Sequence, residues 1–115
     1  MWNNFRWAWQ GLDIAALALS TANVVPDFQA LMLPALEAFG PDLVIISAGF
    51  DAHRDDPLAD VQLSTGCFRW MTERLMEVAA RHGGGRLLSV LEGGYNLERL
   101  GDCVSAHVER LMAPL

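Results

Sequence analysis

The feature that most constrains this chain is the stretch Leu43-Val44-Ile45-Ile46-Ser47-Ala48-Gly49-Phe50-Asp51. Its first four residues are aliphatic without a polar break, and Val44, Ile45 and Ile46 are β-branched. Branching at Cβ favours an extended backbone, and unbroken apolarity predicts a strand buried on both faces. The run breaks at Ala48-Gly49 and turns polar at once, through Asp51, His53, Arg54, Asp55 and Asp56-Pro57. Such a strand carries its chemistry at its C-terminal end, where open parallel sheets bind ligands.

A second stretch repeats the form. Leu87-Leu88-Ser89-Val90-Leu91 predicts another buried strand, and Glu92-Gly93-Gly94-Tyr95 follows it. A helix is predicted between the two, over 66–82, with Ser64 or Thr65 as its cap and Gly83-Gly84-Gly85 as its stop. Its apolar face holds Phe68, Met71, Leu75, Val78 and Ala79, and Glu77 and Arg81 are spaced to pair on the other face. A strand–helix–strand crossover makes the strands parallel neighbours, about 4.8 Å apart. Asp51 and Tyr95 then fall on loops at one edge of one sheet, where a single site can hold both.

The flanks are helical. After Asn96, a capping residue, the spacing predicts a helix over 97–112, with Leu97, Leu100, Val104, Val108 and Leu111 toward the sheet. Upstream, Phe28, Leu31, Met32, Ala35, Leu36 and Phe39 predict a helix over 27–39 that Pro34 kinks or restarts and Gly40-Pro41 ends. Phe5, Trp9, Leu12, Ala16 and Leu19 recur at helical spacing in the first twenty residues, and a linker follows from Thr21.

A chain of 115 residues is one domain at most, and 52% hydrophobic residues permit a true core. A net charge of −6 with no basic cluster argues against a nucleic-acid partner. No apolar run reaches the length that spans a bilayer, so no membrane role is expected, and the N-terminus does not have the form of a secretory leader. Cys67 and Cys103 form no Cys-x-x-Cys pair and are expected as buried free thiols in a reducing compartment, which points to the cytoplasm.

The two strand-end motifs, Ser47-Ala48-Gly49-Phe50-Asp51-Ala52-His53-Arg54-Asp55-Asp56-Pro57-Leu58-Ala59 and Leu91-Glu92-Gly93-Gly94-Tyr95-Asn96, resemble the C-terminal signatures of the histone deacetylase superfamily. The likeness is to its class II-like bacterial branch, which includes acetylpolyamine amidohydrolases, and it covers roughly residues 34–111. The resemblance implies a three-layer α/β fold with a parallel sheet, of the arginase/deacetylase type, reduced here to the C-terminal strand–helix–strand–helix part plus N-terminal helices. Residues 1–25 would stand outside the family part and 26–115 would form the deacetylase-like subdomain.

The same resemblance implies a catalytic Zn2+ with Asp51 as one of its three protein ligands. It implies Tyr95 as the hydroxyl that stabilises a tetrahedral oxyanion, and Gly93 and Gly94 as the backbone that approaches the acyl group of an acetyl-lysine or acetylpolyamine substrate. The family's Asp-x-His pair, the other two ligands, and its His-His dyad have no counterpart: the three histidines, His53, His82 and His107, all lie within or after the first motif. The chain alone is therefore not expected to be a competent deacetylase.

His53 follows Asp51 by two residues and would share its face if the strand continued, but the resemblance gives it no ligand role. His82 closes a helix, where positive charge is favoured, and His107 is expected as a surface or packing residue. Asp55 and Asp56 are expected to shape their loop, and Glu92 to anchor its own by accepting backbone N–H groups. The alternative reading is a non-catalytic domain that acts through oligomerisation. A two-stranded parallel sheet exposes edges and apolar faces under either reading, so a homo-oligomer is expected.

Overall fold

The computed structural model describes residues 25–58 and 62–115. The expected first helix and most of the linker expected over 21–26 lie outside them; Val25 and Pro26, expected in that linker, are already helical, because proline is tolerated in the first turn of a helix, where its missing N–H would have no partner. The described chain begins in a helix that winds through a π-helical turn, Phe28–Met32, into α1, Leu33–Phe39. The Leu33 N–H reaches back to the Phe28 carbonyl, and Pro34 occupies the opening of α1. Proline lacks an N–H and crowds the preceding turn; the widened turn accommodates it, and this is the restart the sequence predicts. Gly40, at φ 62°, ends α1 in the left-handed conformation.

Then follow β1 (Val44–Ala48), α2 (Thr65–His82), β2 (Leu87–Leu91) and α3 (Leu97–Met112). The strands are parallel and in register from Val44 opposite Leu87 to Ala48 opposite Leu91. Ser64 caps α2 by accepting from the Cys67 N–H at 3.1 Å. Asn96 caps α3 by accepting from the Arg99 N–H at 3.0 Å.

The core lies on one side of the sheet. Val44, Ile46 and Ala48 point into it from β1 and meet Phe68, Val78 and Ala79 of α2, Cys103 of α3 and Leu33 and Leu36 of α1. Phe50, just past β1, packs edge-on against Phe68 with ring centroids 5.2 Å apart, and against His107 at 5.8 Å. Both cysteines are buried free thiols.

Burial on both strand faces is not observed. Ile45 is 37% exposed, Leu88 52% and Val90 48%. These residues alternate with the core-facing set, so they share the outer face of the sheet, and no described helix packs there. The run was uniformly apolar because both faces are apolar, not because both are covered by described residues.

The inward face of α3 also differs from expectation. Leu97 and Val108 are exposed, whereas Cys103, His107 and Arg110 are buried. His107 bridges three elements: its Nδ1 lies 2.7 Å from the Thr72 hydroxyl of α2 and its Nε2 2.8 Å from the Ser89 hydroxyl of β2. The Thr72 hydroxyl gives its one proton to the Phe68 carbonyl at 2.7 Å. It must therefore accept from the ring, which fixes the proton on Nδ1 and leaves Nε2 to accept from Ser89. Burial pushes the His107 pKa below its ordinary value. Arg110 turns its guanidinium toward Glu73 and onto the carbonyls of Ala113 and Pro114.

The expected Glu77–Arg81 pair is replaced as well. Glu77 pairs with Arg74 one turn earlier, at 2.9 Å. Arg81 and His82 instead grip Glu37 of α1, and the Arg81 guanidinium, then the His82 ring, hold its carboxyl below the usual range. Arg81 prefers this partner because α1 and α2 pack side by side, which brings a carboxylate to the end of α2. Among the described residues no helix is long and apolar enough to cross a membrane.

Candidate active site

The loops that follow the two strands are joined backbone to backbone. The Glu92 N–H donates to the Ala48 carbonyl at 3.0 Å, extending the ladder by one bond. The Phe50 N–H then donates to the Gly93 carbonyl at 2.8 Å. This second bond sets Asp51 beside Gly93. A Cβ on Gly93 would stand 3.1 Å from both Cγ and Oδ2 of Asp51, and one on Gly49 would stand 3.2 Å from its Oδ1. The carboxylate therefore lies across two glycines, so close that a side chain at either would shift it by a few tenths of an ångström.

Asp56 ties the first loop to the second. It is 8% exposed; its Oδ1 accepts from the Leu58 N–H at 2.8 Å, and its Oδ2 accepts from the Tyr95 N–H at 2.9 Å. Asn96 adds a bond from its side-chain amide to the Asp55 carbonyl at 3.0 Å. Asp56 thus shapes its own turn, as the sequence suggests, and also fixes the backbone of Tyr95, which the sequence does not. Gly94 lies at φ 143°, and a Cβ there would meet Leu100 Cδ1 at 2.6 Å. Glycine adopts that backbone conformation freely, whereas a side chain there would be strained and would push the tip of Leu100 aside. The Tyr95 side chain is exposed.

His53 does not join Asp51. It is 3% exposed and closes a short parallel bridge with Leu63. Its Nδ1 accepts from the Asp55 N–H at 3.1 Å, so its proton is on Nε2, which lies 3.2 Å from the Thr65 hydroxyl. Both ring nitrogens are occupied by the fold. Among the described residues Glu92 accepts no backbone N–H group: its carboxylate takes the Ser47 hydroxyl instead. Serine follows the apolar run, and its outward-facing hydroxyl offers that carboxylate a proton across the strand pair.

Among the described residues no group of three His, Cys, Asp or Glu side chains could hold a metal ion. A catalytic zinc takes three protein ligands and leaves one position open, and Asp51 supplies one. The described donor set therefore does not fit zinc by itself. The arrangement offers a carboxylate, a phenol and glycine-lined backbone at one rim of a parallel sheet.

Similarity to known proteins spans both strand-end loops. Residues 14–111 match the model of the histone deacetylase domain family; the match begins inside the segment 1–25 that the sequence sets apart. The chain is 49% identical over 78 residues to the chloroplastic histone deacetylase 10 of Oryza sativa subsp. japonica, covering 68% of this chain and 18% of that protein. It is 47% identical over 83 residues to the histone deacetylase-like amidohydrolase of Pseudomonas aeruginosa, covering 72% and 22%. The crystal structure of the HDA15 HD domain superposes with a TM-score of 0.74 at 38% identity, over 82% of this chain and 26% of that one. The chain thus spans about a fifth of the length of those two curated relatives.

Proposed function

This chain belongs to the histone deacetylase family, and from that premise we propose that it carries one half of a zinc-dependent amidohydrolase site, the half with Asp51 and Tyr95. Asp51 supplies one carboxylate ligand. The Tyr95 hydroxyl donates to the oxyanion that forms when water adds to an acetyl amide, a contact typically worth about 10²–10³ in rate. Gly93 and Gly94 let the acyl group approach the backbone. The substrate class is an acetylated amine, acetyl-lysine or acetylpolyamine, and the charge of −6 suits the cationic remainder of either. Two buried free cysteines suit a reducing compartment such as the cytoplasm.

The observation that carries this reading is the Phe50–Gly93 bond, which holds the Asp51 carboxylate against the second loop. Catalysis also needs two more ligands and a general base, which the described residues do not bring to Asp51. Alone it is expected to bind zinc below stoichiometry and to leave an acetyl-lysine substrate intact. A chimera in which residues 26–115 replace the matching part of the Pseudomonas aeruginosa amidohydrolase tests the half-site. It should turn over that substrate, lose turnover with D51N, and lose about 10²–10³ with Y95F. An active chimera indifferent to D51N defeats the assignment. Stoichiometric zinc with Asp51-dependent turnover in the isolated chain defeats its incompleteness.

A further inference from the structure

Within the candidate site, the backbone that carries Tyr95 has little of its own to hold it. Gly93 and Gly94 precede it, and Gly94 lies at φ 143°. A residue that follows two glycines inherits the widest backbone freedom a chain offers. What fixes Tyr95 comes from the other loop. The buried Asp56 carboxylate accepts from the Tyr95 N–H at 2.9 Å through Oδ2, and its Oδ1 is itself tied to the Leu58 N–H at 2.8 Å. On the far side of Tyr95, Asn96 caps α3 and donates to the Asp55 carbonyl at 3.0 Å. Tyr95 is thus bracketed by two neighbouring residues of the first loop, while its ring stands exposed. Only the side-chain torsions then separate a fixed root from the phenol oxygen.

We propose that Asp56 is a positioning residue for the Tyr95 hydroxyl: by holding the Tyr95 N–H it sets the root from which the phenol reaches the reacting carbonyl. This role rests on the half-site reading and deepens it, because Asp56 acts only through Tyr95. A donor aimed at a developing oxyanion works when it is in place before the charge forms, and a displacement of about 1 Å costs on the order of 10²-fold. Loss of Asp56 therefore costs at most what the hydroxyl itself contributes, about 10²–10³. It falls on turnover and not on substrate binding, because the contact is made in the transition state. A carboxylate suits the task better than a neutral acceptor. Its bond to an N–H is roughly twice as strong, and the anchoring of its other oxygen by Leu58 keeps the group from swinging away.

Tyr95 is the only tyrosine of the sequence, so isotope-labelled tyrosine gives the full chain one labelled amide signal. Its proton, shared with a carboxylate, should resonate downfield and return upfield in D56A. It should stay in place in R110A, which loses buried contacts at the far end of α3. In the chimera described above, D56A should lower kcat about 10–100-fold with KM little changed. In the Y95F background the same change should lower kcat by less than about twofold, because the group it positions is already gone. A merely structural role lowers turnover equally in both backgrounds. D56N, which keeps the shape of the side chain and one acceptor, should give the same non-additive pattern and replaces D56A if that variant does not fold. An unmoved Tyr95 signal overturns the proposal, and so does an equal loss of turnover in both backgrounds. Turnover that needs Tyr95 but ignores Asp56 overturns it and leaves the half-site standing. Turnover indifferent to Y95F overturns the half-site, and this role with it.

Discussion

Replacing Asp56 by alanine tests whether the two loops of the candidate site are held by this one carboxylate. Asp56 accepts from Leu58 N–H at 2.8 Å and Tyr95 N–H at 2.9 Å. A hydrogen bond to a charged group contributes about 1.5–3 kcal/mol net. Both bonds are part-buried, so water recovers a share of each after truncation. The expected loss is therefore about 2–3 kcal/mol, and for a domain near this size each kcal/mol lowers Tm by roughly 4–8 °C. Thermal unfolding followed by circular dichroism should register a fall of about 10–20 °C. Asp56→Asn keeps the acceptor for Leu58 but turns its NH2 group toward the Tyr95 N–H, and should recover less than half of the loss. Amide exchange separates this clamp from a general loss of stability: in D56A the Tyr95 amide should exchange faster than the fall in global stability explains. A loss under about 0.5 kcal/mol, or a Tyr95 amide that keeps its protection relative to the strands, refutes the account.

Two further outcomes follow from the same packing. Because burial depresses the His107 pKa, the unfolded chain takes up a proton first as pH falls. His107 costs no stability above the ordinary histidine value of about 6.5, and its cost grows as pH drops below that, by at most about 1.4 kcal/mol per pH unit; urea midpoints should fall more steeply below that value than in H107Q, which lacks the titration. Gly94→Ala should cost about 1–3 kcal/mol, read as a lowered urea midpoint, because an alanine at φ 143° is strained and its Cβ must displace the Leu100 side chain.

What the sequence made legible is what backbone chemistry dictates locally. The two apolar runs, the capping residues Ser64 and Asn96, and the Pro34 restart all follow from propensity and missing donors, and each sits where expected. The family match and the solved relative bear out the deacetylase fold that the two motifs suggest. What was not legible are the polar residues that face inward. The sequence leaves His107 as a surface or packing residue and sets Leu97 and Val108 toward the sheet, so the predicted apolar face of α3 is centred too close to Leu97 and Val108. A signal was present in Ser89: a hydroxyl on the inner face of an apolar strand needs a partner, and His107 and Thr72 are the partners it finds. The Arg81–Glu37 contact was out of reach for a different reason, since it depends on how α1 packs against α2, which no local spacing encodes.

The candidate site inherits its geometry from the strands and not from its own polar groups. Parallel pairing from Val44–Leu87 to Ala48–Leu91 carries on by two bonds, Glu92 to Ala48 and Phe50 to Gly93, before either loop departs. Phe50 is locked on its other side by Phe68 and His107, so the residue before Asp51 cannot rotate without opening the core. Asp51 is thus placed by a neighbour buried against two helices, and its carboxylate keeps this position because Gly49 and Gly93 have no side chains to push it aside. A donor fixed in this way loses little freedom when it binds a ligand, which is the condition for a site assembled from separated stretches of sequence: each part must be in position before the others arrive.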